Sequence, residues 1–179
     1  MMIILNIAAG ANNMSSVEIS GLMREECAVF NLDINPNFPN NDQAVLPYHQ
    51  PAKAIALRAI PNIEYSNATE HLDFEDRSVD VIVSVSPFGF ALINSEAKRV
   101  LKRCGHIIVA GSNRNKYVAK DSSLFQAGFD RTWLEEIPRD ASLVGIKLFY
   151  FIENYYRSQT SHGEHATKID TLRAFRKLV

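Results

Sequence analysis

Met1-Met-Ile-Ile-Leu-Asn-Ile-Ala-Ala-Gly-Ala-Asn-Asn-Met14 is the most informative stretch of the sequence. It begins with a compact apolar run, Ile3–Ile7, which is typical of a central parallel strand buried on both faces. Small residues around one glycine follow, and Ser15-Ser16-Val17-Glu18 then has the spacing of a helix-capping box. The pattern predicts a strand, a tight turn and a helix N-terminus with unpaired N–H groups. Because small residues let a ligand approach the backbone, we expect the opening of a nucleotide-type site in an α/β fold.

The composition is typical of one soluble globular domain. The chain has 179 residues, of which 46% are hydrophobic and 22% charged, and its formal net charge is -1. A charge this close to zero implies no overall attraction to nucleic acid or to an anionic membrane. Cys27 and Cys104 show no C-x-x-C spacing, so we expect neither a disulfide framework nor a zinc site. The first residues lack the basic region and long apolar core of a signal peptide, so we expect a cytoplasmic protein.

Strand and helix patterns alternate along the chain. This alternation predicts an α/β fold with a doubly wound, mostly parallel sheet and helices on both faces. A stretch rich in Asn and Pro, Asn35–Gln50, interrupts the alternation and is predicted to be a long loop. The predicted strands are Ile3–Ile7, Ala28–Leu32, Ile63–Tyr65, Val79–Val85 and His106–Ala110, and the predicted helices are Ser16–Glu26, Ala52–Ala59, Leu92–Arg103 and a stretch near Tyr117–Gln126.

The sequence of the C-terminal part predicts that the mostly parallel sheet ends in antiparallel strands. Thr132–Ile137 and Val144–Ile152 have strand patterns and are predicted to form an antiparallel pair. A polar stretch, Ser158–His165, follows, and the basic segment Lys168–Leu178 is predicted to be a helix. We therefore expect an α/β domain over residues 1–157 and a polar, basic tail with a helix over residues 158–179.

Three parts of the sequence share one pattern, in which a strand ends in small or acidic residues. They are Ile4-Leu-Asn-Ile-Ala-Ala-Gly-Ala-Asn12, Val29-Phe-Asn-Leu-Asp-Ile-Asn-Pro36, and the segment from Ala68 through Ser84 to Glu96-Ala-Lys-Arg-Val-Leu-Lys-Arg-Cys-Gly105. Together they resemble the class I S-adenosylmethionine-dependent methyltransferases, over about Ile3 to Gly111. The most specific part is the acidic turn with the strand after it, followed by a helix that ends in Arg-Val-Leu-Lys. The resemblance implies a Rossmann-like methyltransferase fold.

The resemblance also implies residue roles. Gly10 and its small neighbours would form the turn against the methionine and ribose of the cofactor, and Asp33 would accept hydrogen bonds from the ribose diol. No catalytic residue and no metal ligand is implied. The implied cofactor-binding residues are Ala8, Ala9, Gly10, Asp33, Ile34, Asn67, Ala68, Thr69 and Ser84, and the implied substrate-pocket residues are Ser86, Pro87 and Phe88.

The sequence departs from the family pattern at the first turn. Asn6 stands where the family usually has an acidic residue, and Ala8 and Asn12 stand where it has glycines. Asn67 likewise replaces the commoner aspartate. These departures leave two functions open. The first is an S-adenosylmethionine-dependent methyltransferase of unknown acceptor. The alternative is a catalytically inactive, methyltransferase-like binding protein, for example an immunity or antitoxin-type partner.

Partners and isolated polar residues are less informative. The acceptor could be a small molecule or a protein, a protein partner is possible, and no membrane partner is expected. Tyr155-Tyr156-Arg157 and Arg173–Lys177 could contact nucleic acid, although an aromatic strand end and a solvated helix face are commoner explanations. His71 is more typical of a surface residue than of a catalytic one, and His162-Gly-Glu-His165 has no third ligand nearby for a metal.

Overall fold

Seven strands and two helices are defined in the computed structural model, which describes residues 1–7, 14–33, 63–65, 71–85, 92–113, 115, 118–119, 131–138, 147 and 171–179. The five predicted parallel strands are confirmed: the first two differ by one residue at one or both ends, the third and fourth match, and the fifth begins five residues earlier than predicted. The strands are β1 Met2–Ile7, β2 Cys27–Asp33, β3 Ile63–Tyr65, β4 Val79–Val85, β5 Leu101–Gly111, β6 Leu134–Ile137 and β7 Thr171–Lys177, and the helices are α1 Ser16–Met23 and α2 Ser95–Val100.

The strands form a single sheet in the order β3-β2-β1-β4-β5-β7-β6. The first five strands pair in parallel, whereas β7 pairs antiparallel with both β5 and β6. From β1 the chain steps outward to β2 and β3 on one side, and from β4 it steps to β5 on the other. The strand order therefore reverses between β1 and β4, where an open parallel sheet has its ligand crevice.

Apolar side chains cover both faces of the sheet. Alternation along each strand sends Ile4 to one face and Leu5 to the other. Helix α1 packs its buried Ile19 on the face that carries Ile4, and α2 packs its buried Ala97 on the opposite face. The described helices cover only part of each face, so the doubly wound arrangement stays a prediction beyond this mixed sheet.

Serine side chains attach α1 to β2. Ser16 Oγ accepts a hydrogen bond from the Val29 amide (2.9 Å), and Ser20 Oγ accepts one from the Cys27 amide (2.8 Å). Among the described residues, β3 pairs with β2 from Asn31 onward, and these hydroxyls bind amides of β2 that precede that pairing. The helix is thereby held along the outer edge of β2.

The second helix is shorter than the sequence pattern predicts. Leu92–Arg103 was expected to be helical, but the helix ends at Val100 and β5 begins at Leu101. Strand pairing overrides the helical pattern, because Leu101 pairs with Val79 and the Lys102 ammonium contacts the Asp80 carboxylate at 2.8 Å. The predicted helix is therefore wrong over its last residues.

An irregular segment of β5 follows. Cys104 has a positive φ of 61°, and the register with β4 jumps from Val79–Leu101 to Val81–His106. Gly105 lies in this bulge so closely packed that an added Cβ would meet Leu101 Cγ and the Lys102 carbonyl oxygen at 2.9 Å. Only a residue without a side chain fits there.

The predicted C-terminal helix over Lys168–Leu178 is wrong, because Thr171–Lys177 is strand β7, inserted between β5 and β6. Two of its charged residues, Arg173 and Lys177, are buried and have partners, whereas Arg176 is exposed. Arg173 forms an ion pair with Glu136 at 2.8 Å, and the Lys177 ammonium donates to the Lys98 and Leu101 carbonyl oxygens at 2.6 and 2.7 Å. These contacts stabilise charged residues that the sequence alone would place on the exposed face of a basic helix.

Other predictions fall partly outside the described residues. The antiparallel ending is confirmed, and so is a strand over Leu134–Ile137, but its partner is β7. Of the expected partner Val144–Ile152 only Lys147 is described, and it is helical, which differs from the predicted strand. The predicted helix Ala52–Ala59 and the proposed boundary after residue 157 lie outside the described residues. In the part of the chain that is described, no helix is both long and apolar enough to cross a membrane.

Candidate functional site

The carboxyl ends of β1, β2 and β4 meet at one edge of the sheet. In the pairing register Ile7 lies beside Leu32, and Asn6 lies beside Val83. Because these strands run parallel, the segments that leave them start from the same edge. These are the strands that carry the three motifs of the sequence, and the reversal of strand order falls between β1 and β4. The motifs are therefore brought to one crevice.

Helix α1 begins at this edge. The Ser15 side chain caps it by accepting a hydrogen bond from the Glu18 amide at 3.5 Å, and the Ile19 amide donates to the Ser15 carbonyl oxygen at 3.0 Å. The serine cap predicted from the sequence is confirmed. Arg24 caps the other end of the helix, after Met23: its φ of 58° is left-handed, and its amide donates to the Ser20 carbonyl oxygen.

A buried amide joins β1, β2 and the entry to α1. Asn31 Oδ1 accepts hydrogen bonds from the Asn6 side-chain amide (2.9 Å) and from the Met14 backbone amide (2.8 Å). Asn31 Nδ2 donates to the Met14 carbonyl oxygen at 3.0 Å. Asn6, Asn31 and Met14 are all buried. We call this set of three hydrogen bonds the Asn31 clamp.

The Asn31 clamp explains why a polar residue is tolerated at each of two core positions. Asn6 and Asn31 are direct cross-strand partners in the parallel pairing of β1 with β2, and both are almost completely buried. A buried amide without partners is costly, whereas one that pairs with backbone groups is tolerated. The amide at position 6, which departs from the family pattern, is a donor to Asn31.

Ser84 contributes a second buried polar group near the end of β4. Its neighbours Val83 and Val85 face the α1 side, so alternation places the Ser84 side chain on the α2 side with Ile82. The residue is fully buried, and no described residue forms a hydrogen bond with its hydroxyl. An unsatisfied buried hydroxyl is unusual in a core.

Most of the implied site residues lie outside the described part of the chain. Ser84 is described, and Asp33 is described as the last residue of β2, beside Tyr65 of β3, without its side chain. Its proposed contact with a ribose therefore stays a prediction. The implied residues outside the described part are Ala8, Ala9, Gly10, Ile34, Asn67, Ala68, Thr69, Ser86, Pro87 and Phe88.

Sequence reasoning missed Asn31 and Met14. The available signal was a single polar residue inside each of two apolar strands, Asn6 in β1 and Asn31 in β2. In the sequence, Asn6 stands out only because it departs from the acidic residue of the family pattern. The pairing of the two asparagines depends on the register of β1 with β2, which the sequence does not display.

The other polar cluster attaches the turn before β4 to α2. Arg99 donates to the carbonyl oxygens of Leu72 and Phe74 and forms ion pairs with Glu96 and Asp76. The hydrogen bond from Arg99 lowers the pKa of Glu96 from 4.5 to about 2, against an opposing effect of burial. His71 lies 3.7 Å from Glu96 with most of its side chain exposed. Every group in this cluster has a structural partner, which favours a structural role.

The described residues form neither a catalytic histidine cluster nor a metal-binding cluster. His106 lies in β5, and burial and the nearby Arg176 lower its pKa. No group of three or more potential metal ligands occurs within the described ranges. His162-Gly-Glu-His165 lies outside them.

No family model and no curated protein matches the sequence. The fold does have structural neighbours. Many of them are S-adenosylmethionine-dependent class I methyltransferases.

Three of these neighbours illustrate the likeness. A geranyl diphosphate C-methyltransferase from Streptomyces coelicolor A3(2) is 12% identical over 100% of this chain and 74% of its own, with a TM-score of 0.49. A SAM-dependent methyltransferase from Aquifex aeolicus is 14% identical over 99% and 82%, with a TM-score of 0.41. A chain in the complex of the Haloferax volcanii Trm112 methyltransferase activator with a methyltransferase is 12% identical over 98% and 82%, with a TM-score of 0.47. At such identities, the function has to follow from this chain's own residues.

Proposed function

We propose that the chain is an S-adenosylmethionine-dependent methyltransferase whose acceptor is unidentified, acting in the cytoplasm. The observation that carries the proposal is the strand order, which reverses between β1 and β4 at the edge where the motif-bearing strands end. A nucleoside-containing ligand binds at such a point in an open parallel sheet. The antiparallel ending of the sheet also agrees with the fold that the sequence resemblance implies.

The residues at this edge fit the polar groups of the cofactor. Asp33 ends β2, and a carboxylate there would accept two hydrogen bonds from the ribose diol. Ser84, the second-last residue of β4, is assigned to the cofactor site by its position near the carboxyl end of that strand. Ala8, Ala9 and Gly10 would allow the ligand to approach the backbone, with Ile34 beside Asp33 and Asn67–Thr69 near the adenine.

S-adenosylmethionine supplies a methyl group already activated by its sulfonium. The chain's contribution is then to hold the acceptor in line with that methyl group and to exclude water. Ser86, Pro87 and Phe88 directly follow β4, and we assign the acceptor pocket to them. No residue is assigned as a general base; if the acceptor is already a neutral nucleophile, none is required.

Titration calorimetry with S-adenosylmethionine and S-adenosylhomocysteine tests the proposal. The wild-type protein is expected to bind both. Asp33→Asn keeps the shape of the side chain but removes its charge, and it should weaken binding roughly 10- to 100-fold, as expected for loss of charge-assisted hydrogen bonds. Glu25→Gln removes a carboxylate from the exposed connection between α1 and β2, at the opposite edge of the sheet, and should change affinity less than about twofold.

The inactive binding protein makes the opposite prediction. Absence of binding heat at millimolar cofactor, together with co-purification of a stable protein partner, would contradict the methyltransferase and favour that alternative. Equal weakening by the Asp33 and Glu25 variants would leave an enzyme but reject Asp33 as the ribose ligand.

A further inference from the structure

We propose that Asn31 is a positioning residue for the crevice. Its side chain holds Met14 in place through hydrogen bonds and requires a neutral hydrogen-bond donor at position 6. This inference rests on the proposed function for its consequence in cofactor binding. Neither the sequence motifs nor the family resemblance assigns a role to Asn31. Its evidence is the geometry of the Asn31 clamp.

The first step is the contact with Met14. The Asn31 amide binds both the N–H (2.8 Å) and the C=O (3.0 Å) of this one residue, as a neighbouring strand would. Met14 and Asn31 are 17 positions apart and both buried, so water does not readily replace these two hydrogen bonds when the Asn31 side chain is removed. The contact therefore fixes where the chain re-enters the core before Ser15 caps α1.

The second step is the orientation of the Asn31 amide. Because the Met14 N–H is a donor and its C=O is an acceptor, the oxygen and nitrogen of the Asn31 side chain cannot exchange places without losing both bonds. Asn31 Oδ1 therefore faces position 6 as an acceptor. A side chain at position 6 has to donate, as Asn6 Nδ2 does at 2.9 Å. An ionised carboxylate, which only accepts, does not meet this requirement.

The third step connects the clamp to the crevice. Asn6 directly precedes Ile7, the last residue of β1, and Met14 directly precedes the cap of α1. One amide thus sets both ends of the connection Ala8–Asn13, to which the proposed function assigns the cofactor turn. Ligand affinity depends on how well such backbone groups are held in place before binding. In this proposal, the role of the Asn6 side-chain amide is to donate a hydrogen bond to Asn31.

A matched pair of variants separates positioning from general stability. Asn31→Ala removes the clamp at the carboxyl edge. Ser20→Ala removes two hydrogen bonds between α1 and β2, to the Cys27 amide and carbonyl, at the opposite edge. Thermal unfolding and calorimetry with S-adenosylmethionine are measured for both, well below their midpoints. We expect Asn31→Ala to raise the dissociation constant at least about tenfold and Ser20→Ala to change it less than about twofold. Equal changes in affinity at equal losses of melting temperature would overturn the proposal.

Hydrogen exchange keeps this test separate from the proposed function. If the wild-type protein fails to bind S-adenosylmethionine, the methyltransferase proposal fails, and the exchange rates still decide the clamp. Asn31→Ala should speed exchange of the Met14, Ser15 and Ser16 amides at least about tenfold, whereas Ser20→Ala should leave them unchanged within about twofold. Unchanged exchange in Asn31→Ala would show that Asn31 does not position the entry to α1 and would overturn the inference.

Discussion

Replacing Asn6 with aspartate is expected to destabilise the protein at neutral pH, and less so as the pH falls. The ionised side chain loses the donor that lies 2.9 Å from Asn31 Oδ1 and brings an oxygen with negative charge against that acceptor. Position 6 is fully buried, so solvent does not screen the repulsion. An uncompensated buried charge costs about 3–5 kcal/mol of unfolding free energy.

The pH dependence follows from the pKa of the new carboxyl group. Burial and the facing carbonyl oxygen disfavour its charged form and raise its folded-state pKa above the unfolded value of about 3.9. The protonated acid is a donor and restores the bond to Asn31. Stability is therefore retained below the unfolded pKa and is lost as the pH rises through the folded pKa.

Urea unfolding across the range from about pH 4 to about pH 8 measures this effect. Asn6→Ala is the matched control, since it removes the donor without adding a titrating group and should lose about 2 kcal/mol at every pH. We expect Asn6→Asp to be less stable than Asn6→Ala at neutral pH and to approach or exceed it near pH 4. A constant difference between the two variants across this range would refute the requirement for a donor at position 6.

Two further predictions concern the scaffold. Glu96→Gln should remove part of the acid sensitivity: the pKa of Glu96 is lowered from 4.5 to about 2 by Arg99, so wild-type stability declines as the pH falls through that interval, and urea midpoints should decline less for the variant. An unchanged acid profile would contradict this reasoning. Gly105→Ala should lose about 1–3 kcal/mol through contacts at 2.9 Å, whereas Gly21→Ala in α1, with no atom within 4 Å of the added Cβ, should gain roughly 0.5–1 kcal/mol. Equal melting temperatures for the two glycine variants would count against the crowding at Gly105.

The parallel half of the sheet could be predicted from the sequence because its signals are local. Ile3–Ile7 and Val79–Val85 are predominantly apolar runs, interrupted only by Asn6, Asp80 and Ser84, and such runs form strands buried on both faces. The Ser15 cap was equally visible, since a serine hydroxyl reaches the amide three residues away without help from the rest of the fold.

The C-terminal strand could not be predicted, because its charged residues depend on distant partners. Arg173 and Lys177 suggest an exposed basic surface until Glu136 and the end of α2 are brought beside them. Those partners are 37 and 76 or more positions away. Because apolar and polar residues alternate poorly in Thr171–Lys177, its basic charge is what guides the prediction of an exposed helix, and that prediction is wrong.

The central strands and the helix start at Ser15 can be read from local sequence, since each depends on neighbouring residues. The insertion of β7 into the sheet and the contact of Asn6 and Met14 with the Asn31 amide follow only from the folded arrangement of the strands. In both cases a buried polar group is stable only with its partner, and the register of the strands supplies that partner.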